Sequence, residues 1–257
     1  MWNNAFDELR GRRVLITGAS SGIGAALAQA FGECGATVGV HYGSNQTQAE
    51  ALAETIRQAG GGAFALKADL GLPGAGTALA EAAIEALGGI DVLVNNAGAA
   101  LARVSFDAFD PALAQRISQL NQHSVVETMQ VMLPHLRRQR RGSIINTTSI
   151  AARNGGGFGV SLYAAAKGAI EALSRSLAKE EGACGVRVNC VAPGYIDTPI
   201  HQVSSADQIR RYLDATPLAR AGTARDCVGV YLFLACESLS GFITGQTIGV
   251  NGGMHLV

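Results

Sequence analysis

A tyrosine and a lysine stand four positions apart in "YAAAK", residues 163–167. On a helix, residues i and i+4 lie one above the other on one face, so Tyr163 and Lys167 project together into one space. The three alanines between them keep that turn slim and strongly helical. A phenol beside an ammonium can exchange protons with a ligand, although the same spacing also suits an ordinary half-exposed helix face. A second stretch, "TGASSGIG" (17–24), follows a β-branched run and opens an amphipathic one. In it Gly18 permits a sharp turn, Gly22 lets a pyrophosphate approach the backbone, and Gly24 lets a helix sit close to a sheet. The helix N-terminus adds unpaired N–H groups and a positive dipole end, so a dinucleotide cofactor is the expected ligand.

Around these stretches, short β-branched runs alternate with longer amphipathic ones. Residues 13–18, 36–42, 62–69, 90–98, 142–149, 185–194 and 246–253 read as strands. Residues 23–33, 46–59, 75–87, 111–139, 161–181 and 223–236 read as helices, with a short one near 206–214. Strands as apolar as "VLVNN" and "SIINTTS" should be buried on both faces, which helices crossing a parallel sheet would accomplish. The expected fold is α/β: a single doubly wound Rossmann-type domain over 1–257, with a seven-stranded parallel sheet and helices on both faces. Its ligand crevice would lie outside the carboxyl ends of the strands. Residues 195–222 lack the sheet–helix rhythm, carry Pro199 and Pro217, and are the expected substrate lid.

Composition narrows the ligand. Lys+Arg and Asp+Glu are 20 each in 257 residues, so nothing in the charge balance points to nucleic acid or an anionic membrane, and a small-molecule substrate fits better. Apolar residues make up 48%, with 33 Gly and 5% aromatics, as in a sheet-and-helix protein packed through small side chains. The cysteines at 34, 184, 190, 227 and 236 are scattered and form no C-x-x-C, and read as reduced thiols. With no apolar leader before the first strand and no long uncharged apolar stretch, a cytoplasmic protein without a membrane span is expected. The five histidines show no ligand spacing, so no metal site is expected.

The G-x-x-x-G-x-G spacing at 18–24, "NNAG" at 95–98, "YAAAK" at 163–167 and "PGYIDT" at 193–198 together resemble the short-chain dehydrogenase/reductase family. The likeness runs in order from about residue 12 to "NGG" at 251–253. It implies that Tyr163 is the general acid/base, with its phenol made more acidic by the Lys167 ammonium and by a positive nicotinamide. Ser149 would hydrogen-bond the substrate oxygen, Lys167 would also bind the nicotinamide ribose, and Asn121 would bend its helix and hold a water of a proton relay. The interval from Ser149 to Tyr163 is one residue longer than is usual in the family, which makes Thr148 the alternative to Ser149. Cofactor contacts are implied for Gly18, Ser20, Ser21, Gly22, Ile23 and Gly24 in the turn, and for Asn96, Ala97 and Gly98 after the fourth strand. Asp69 and Leu70 would meet the adenine, and Pro193, Gly194, Ile196 and Thr198 the nicotinamide side. Asn95 and Asn96 can tie neighbouring strands through their amides.

The end of the second strand reads "VHYGSNQ" (40–46), with no acid to bind a ribose 2′-hydroxyl. Tyr42, Ser44 and Asn45 are the candidates there, and the pattern leans to NADP(H). NAD(H) stays possible, because Ser21 stands where many NADP-preferring relatives carry Arg or Lys. Substrate would be met by Arg103, Arg153, Asn154, Tyr195, Asp197, His201 and Gln202. The expected activity is hydride transfer between nicotinamide and a ketone or secondary alcohol, most like a 3-oxoacyl-(acyl-carrier-protein) reductase. A sugar or polyol dehydrogenase and a non-catalytic nucleotide sensor are the alternatives. The resemblance also implies a homotetramer, built on the helices at 111–139 and 161–181 and the last strand.

Overall fold

The strands that read as most apolar are the ones covered on both sides. In a computed structural model that describes residues 5–199 and 205–256, every residue of β4 (Val92–Asn95), β5 (Gly142–Thr147) and β6 (Val186–Pro193) is buried. They are joined by β1 (Arg13–Ile16), β2 (Thr37–Tyr42), β3 (Gly62–Lys67) and β7 (Thr247–Val250) into one parallel sheet of order β3-β2-β1-β4-β5-β6-β7. Edge strands β3 and β7 are only partly covered, and β7 has no buried residue.

Helices α1 (Gly22–Glu33), α2 (Gln46–Gln58), α3 (Ala75–Leu87), α4 (Pro111–Ser118) and α5 (Ser124–Gln139) precede β5. They are followed by α6 (Ala151–Asn154), α7 (Ser161–Glu181), α8 (Ala206–Asp214), α9 (Ala224–Ala235) and α10 (Glu237–Ser240). Two apolar clusters result, one on each face of the sheet. Phe31 of α1, Ile56 of α2 and Tyr231 of α9 belong to the first. Leu79 of α3, Met129 and Met132 of α5 and Ile170 of α7 belong to the second. No helix among the described residues is long and apolar enough to cross a membrane.

Two differences from the sequence reading concern the ligand crevice. The single helix expected over 111–139 is broken by a π-helical turn, Gln119–His123, between α4 and α5. Its cause is polar: Asn121 donates from Nδ2 to the carbonyl of Ile117, four residues back, at 2.8 Å, and Ser124 donates to the Leu120 carbonyl at 2.8 Å. The strands also stop short of their apolar runs. β1, β4 and β5 end at 16, 95 and 147, and the residues beyond form loops at the carboxyl edge. Because the strand order reverses between β1 and β4, the connections leaving them diverge and open a crevice there.

Buried amides fix the floor of this crevice. Asn95 donates to Asn146 Oδ1 at 2.9 Å and accepts from the Thr128 hydroxyl at 2.8 Å, joining β4, β5 and α5. Asn96 donates from Nδ2 to the carbonyls of Thr17 and Gly18, at 3.0 and 3.2 Å.

Candidate active site

The crevice holds a cavity of about 720 Å³. At one end the chain turns from β1 into α1. Gly18 sits at φ +65°, and a Cβ there would lie 3.0 Å from the Ala97 Cα, so both conformation and space require glycine. A Cβ on Gly24 would fall 2.1 Å from the Gly18 carbonyl oxygen, which is why that position lets α1 approach the strand end. Ser21, the N-cap of α1, makes no side-chain capping bond, so the first-turn N–H groups are left to a ligand. Gly18, Ser20, Ser21, Gly22 and Ile23 all line the cavity, as do Leu70, Asn96, Ala97 and Gly98.

His41 was not singled out from the sequence, yet it supports this turn. Its Nδ1 accepts from the Gly18 N–H at 2.8 Å, and its Nε2 lies 3.1 Å from the Ala68 carbonyl. That pairing requires the neutral tautomer protonated on Nε2. Burial pushes the imidazole down to about 4, partly offset by the Ala68 carbonyl, so it stays neutral at ordinary pH. The strand's two-residue alternation explains both His41 and a correction: His41 lines the cavity, whereas Tyr42 is buried in the apolar cluster shared with α1 and α2. Ser44 and Asn45 are exposed and do not line the cavity; Gly43 does. Asp69 lines it but already accepts from Arg116 at 2.9 Å and from the Gly71 N–H at 2.9 Å, an engagement the sequence did not suggest.

At the other end, α7 presents Tyr163 and Lys167 on one face. Lys167 Nζ lies 5.7 Å from the centroid of the Tyr163 ring and donates to the Thr147 carbonyl at 2.8 Å. A Cβ on Gly98 would lie 2.9 Å from Lys167 Nζ and 2.7 Å from Asn121 Oδ1, so this glycine is the gap through which the loop after β4 reaches both groups. Asn121 is fully buried and exchanges hydrogen bonds with Ala99, donating to its carbonyl at 2.8 Å and accepting from its N–H at 3.0 Å. Ser149, two residues after the end of β5, lies close enough to Tyr163 to draw its phenol down, and its Oγ accepts from the Ala151 N–H at 3.1 Å. Thr148 turns the other way, toward Glu171 of α7 at 3.3 Å and the Val191 carbonyl at 3.2 Å. Between Ser149 and Tyr163 the chain forms α6 and the turn of glycines at 155–157, and both Thr148 and Ser149 line the cavity.

Burial acts on both members of this pair: it raises the Tyr163 phenol above its ordinary value, partly offset by Ser149. It also pushes the Lys167 ammonium down to about 8. Near neutral pH the site thus holds a protonated phenol and a protonated lysine, an arrangement suited to giving a proton to a substrate oxygen.

Pro193, Gly194, Ile196 and Thr198 close the cavity beyond β6, and Arg103, Asn154 and Tyr195 line its outer wall with Tyr212 and Met254. The last two carried no signal in the sequence, because α8 and the final turn place them only through tertiary packing. Arg153, expected to meet substrate, instead pairs with the buried Glu171 at 2.7 Å, and Asp197 does not line the cavity. His201 and Gln202 lie outside the described residues.

A nicotinamide dinucleotide fits these residues. The glycine turn supplies N–H donors for a pyrophosphate, and Gly98 and Gly18 mark a surface that any side chain would fill. The family model described as Enoyl-(Acyl carrier protein) reductase matches residues 18–255. The chain belongs to the short-chain dehydrogenase/reductase family. As a member it is an NAD(P)-dependent oxidoreductase of CH–OH groups. A 3-oxoacyl-[acyl-carrier-protein] reductase of Chlamydia pneumoniae is 38% identical over 250 residues, which are 96% of this chain and 98% of that protein. Among solved structures, a 3-oxoacyl (acyl-carrier-protein) reductase of Agrobacterium tumefaciens with NADP bound superposes with a TM-score of 0.90 at 34% identity, covering 98% of both chains. The NADH-dependent reductase A1-R′, responsible for alginate metabolism, gives 0.90 at 35%, covering 98% of this chain and 100% of that one.

Proposed function

We propose that the protein reduces the ketone of a 3-oxoacyl thioester, or a closely similar ketone, to a secondary alcohol. The observation that carries this reading is the meeting of Ser149, a protonated Tyr163 and Lys167 in the cavity that also holds the glycine turn. Bound nicotinamide supplies the hydride. Ser149 donates a hydrogen bond to the substrate oxygen and orients it, and Tyr163 gives that oxygen its proton. Lys167 binds the ribose next to the reacting ring and favours the phenolate that remains. Asn121, open to the same corner through Gly98, continues the path by which Tyr163 is reprotonated.

NADP(H) is the preferred cofactor in this reading. No carboxylate stands at the end of β2, Asp69 is neutralised by Arg116, and Gly43 leads directly to Ser44, Asn45 and the N-terminus of α2. The chain folds as one domain, with 195–222 as its lid; Tyr195 and Tyr212, from that stretch, stack at 5.3 Å over the cavity wall. The free cysteines among the described residues suit a reducing cytoplasm. The protein assembles as a homotetramer: beside the half-covered edge strand β7, Phe242 is fully exposed and Leu256 is 83% exposed, apolar surface that a second copy would cover.

Steady-state oxidation of NADPH and of NADH, each with 3-oxoacyl thioesters of increasing chain length, tests the reading. Faster turnover with NADPH supports it, and failure of every thioester with both cofactors contradicts it.

A further inference from the structure

The outer wall of the cavity carries a cation with no counter-charge among the described residues. Arg103 lies on the loop between β4 and α4. Its Nη1 donates to the Phe158 carbonyl at 3.1 Å and its Nη2 to the Tyr212 hydroxyl at 3.2 Å. One acceptor is a backbone carbonyl and the other a phenol oxygen. Its Nε is buried and has no hydrogen-bond partner. None of the ion pairs among the described residues includes Arg103. Among the described residues the only carboxylate lining the cavity is Asp69, which Arg116 already holds beside the glycine turn.

A guanidinium has five N–H donors in a rigid fork that matches a carboxylate, and withdrawing it partly from water without an anion is costly. Here the fork is held in place from two sides, the 158–159 loop and α8. The chain approaches backbone to backbone at Gly159, where a Cβ would lie 2.7 Å from the Val104 nitrogen and 2.9 Å from the Arg103 carbonyl carbon. Phe158 fixes Nη1 on that same loop, and α8 fixes Nη2 through Tyr212. Leu101, Ile150, Val160 and Met254 make much of the neighbouring lining apolar, and Asn154, Tyr195 and Tyr212, also in the wall, are not carboxylates.

We infer that Arg103 binds a carboxylate of the substrate, so that the protein acts on oxo acids, with the reacting carbonyl at Ser149 and Tyr163 and the acid at Arg103. The inference rests on the oxidoreductase reading of the cavity and departs from the thioester of that reading, whose acid group is esterified and uncharged: it assigns the outer wall to a free oxo acid instead. It assigns Arg103 to specificity: the residue binds substrate and takes no part in the proton transfer.

The test uses the full chain loaded with NADP⁺ and a graded series of linear oxo acids beside their methyl esters, with affinity read by calorimetry and kcat/KM by NADPH oxidation. The wild type should favour the best acid over its ester by about 10- to 100-fold, the range of a charge-assisted hydrogen bond. Arg103→Met should bring that ratio close to one, and Arg103→Lys should restore part of it. Tyr212→Phe removes one partner of the guanidinium but leaves the charge, so it should keep the preference for acid. Equal affinity for acids and esters in the wild type overturns the inference. So does an Arg103→Met variant that weakens acid and ester alike, since that marks Arg103 as a tie between loop and α8 only. Reduction of the neutral esters, abolished by Tyr163→Phe, reports on the oxidoreductase reading separately from the acid-to-ester ratio.

Discussion

Two side chains separated by one helical turn divide the work of the site by how burial treats each of them. Desolvation holds the proton on Tyr163 and loosens the one on Lys167, which titrates at about 8. The reductive kcat/KM should therefore fall as pH rises through about 8, when the free enzyme loses the ammonium. That limb belongs to the lysine, because the phenol titrates above its ordinary value. In Lys167→Met the rate should be low at every pH and the limb near 8 absent; a limb that persists there would assign it to another group. This division was only half legible in the sequence. The spacing of 163 and 167 placed both groups on one face, but the direction of their influence depended on how deeply the Thr147 carbonyl and Gly98 enclose Lys167, which is 2% exposed. Spacing also did not show that the Thr148 hydroxyl turns to Glu171.

At the scale of elements, strands and helices followed from apolar spacing to within a few residues, since periodicity records which face is buried. What spacing could not record was polar tertiary contact. The break at 119–123 depends on Asn121 reaching both Ile117 and Ala99, and Arg116 on α4 closes over Asp69 after β3. His41 illustrates the same limit, because its neighbour Tyr42 was the residue chosen for the cofactor. The imidazole links β2 to the β1–α1 turn and the Ala68 carbonyl, and its folded value of about 4 lies below the ordinary 6.5. The unfolded chain therefore binds a proton first as pH falls, and stability is lost between about 6.5 and about 4. The loss should total about 3 kcal/mol for this one group. Denaturant unfolding of the wild type and of His41→Asn across that window checks it: the variant should show a flatter pH dependence and weaker dinucleotide binding. Identical pH slopes would remove His41 from the account.

For the whole molecule, a parallel sheet with its central strands fully buried leaves partly covered edges at β3 and β7, and the proposed assembly uses the one at β7, beside the exposed Phe242. Phe242→Glu should shift the assembly from tetramer toward smaller species in light scattering while the monomer keeps its circular dichroism; a wild-type protein that is a stable monomer would contradict the proposed assembly. Length, charge balance and the order of motifs pointed to this architecture, whereas the residues of any subunit contact carry no periodic signature distinct from the core's. The most direct test of the central claim is NADPH-dependent reduction of a 3-oxoacyl thioester by Tyr163→Phe, in protein shown by fluorescence to bind NADPH as the wild type does. A fall in kcat of about 10²- to 10⁴-fold, the range expected for loss of a general acid, is the predicted result. Turnover at the wild-type rate would mean that another group delivers the proton.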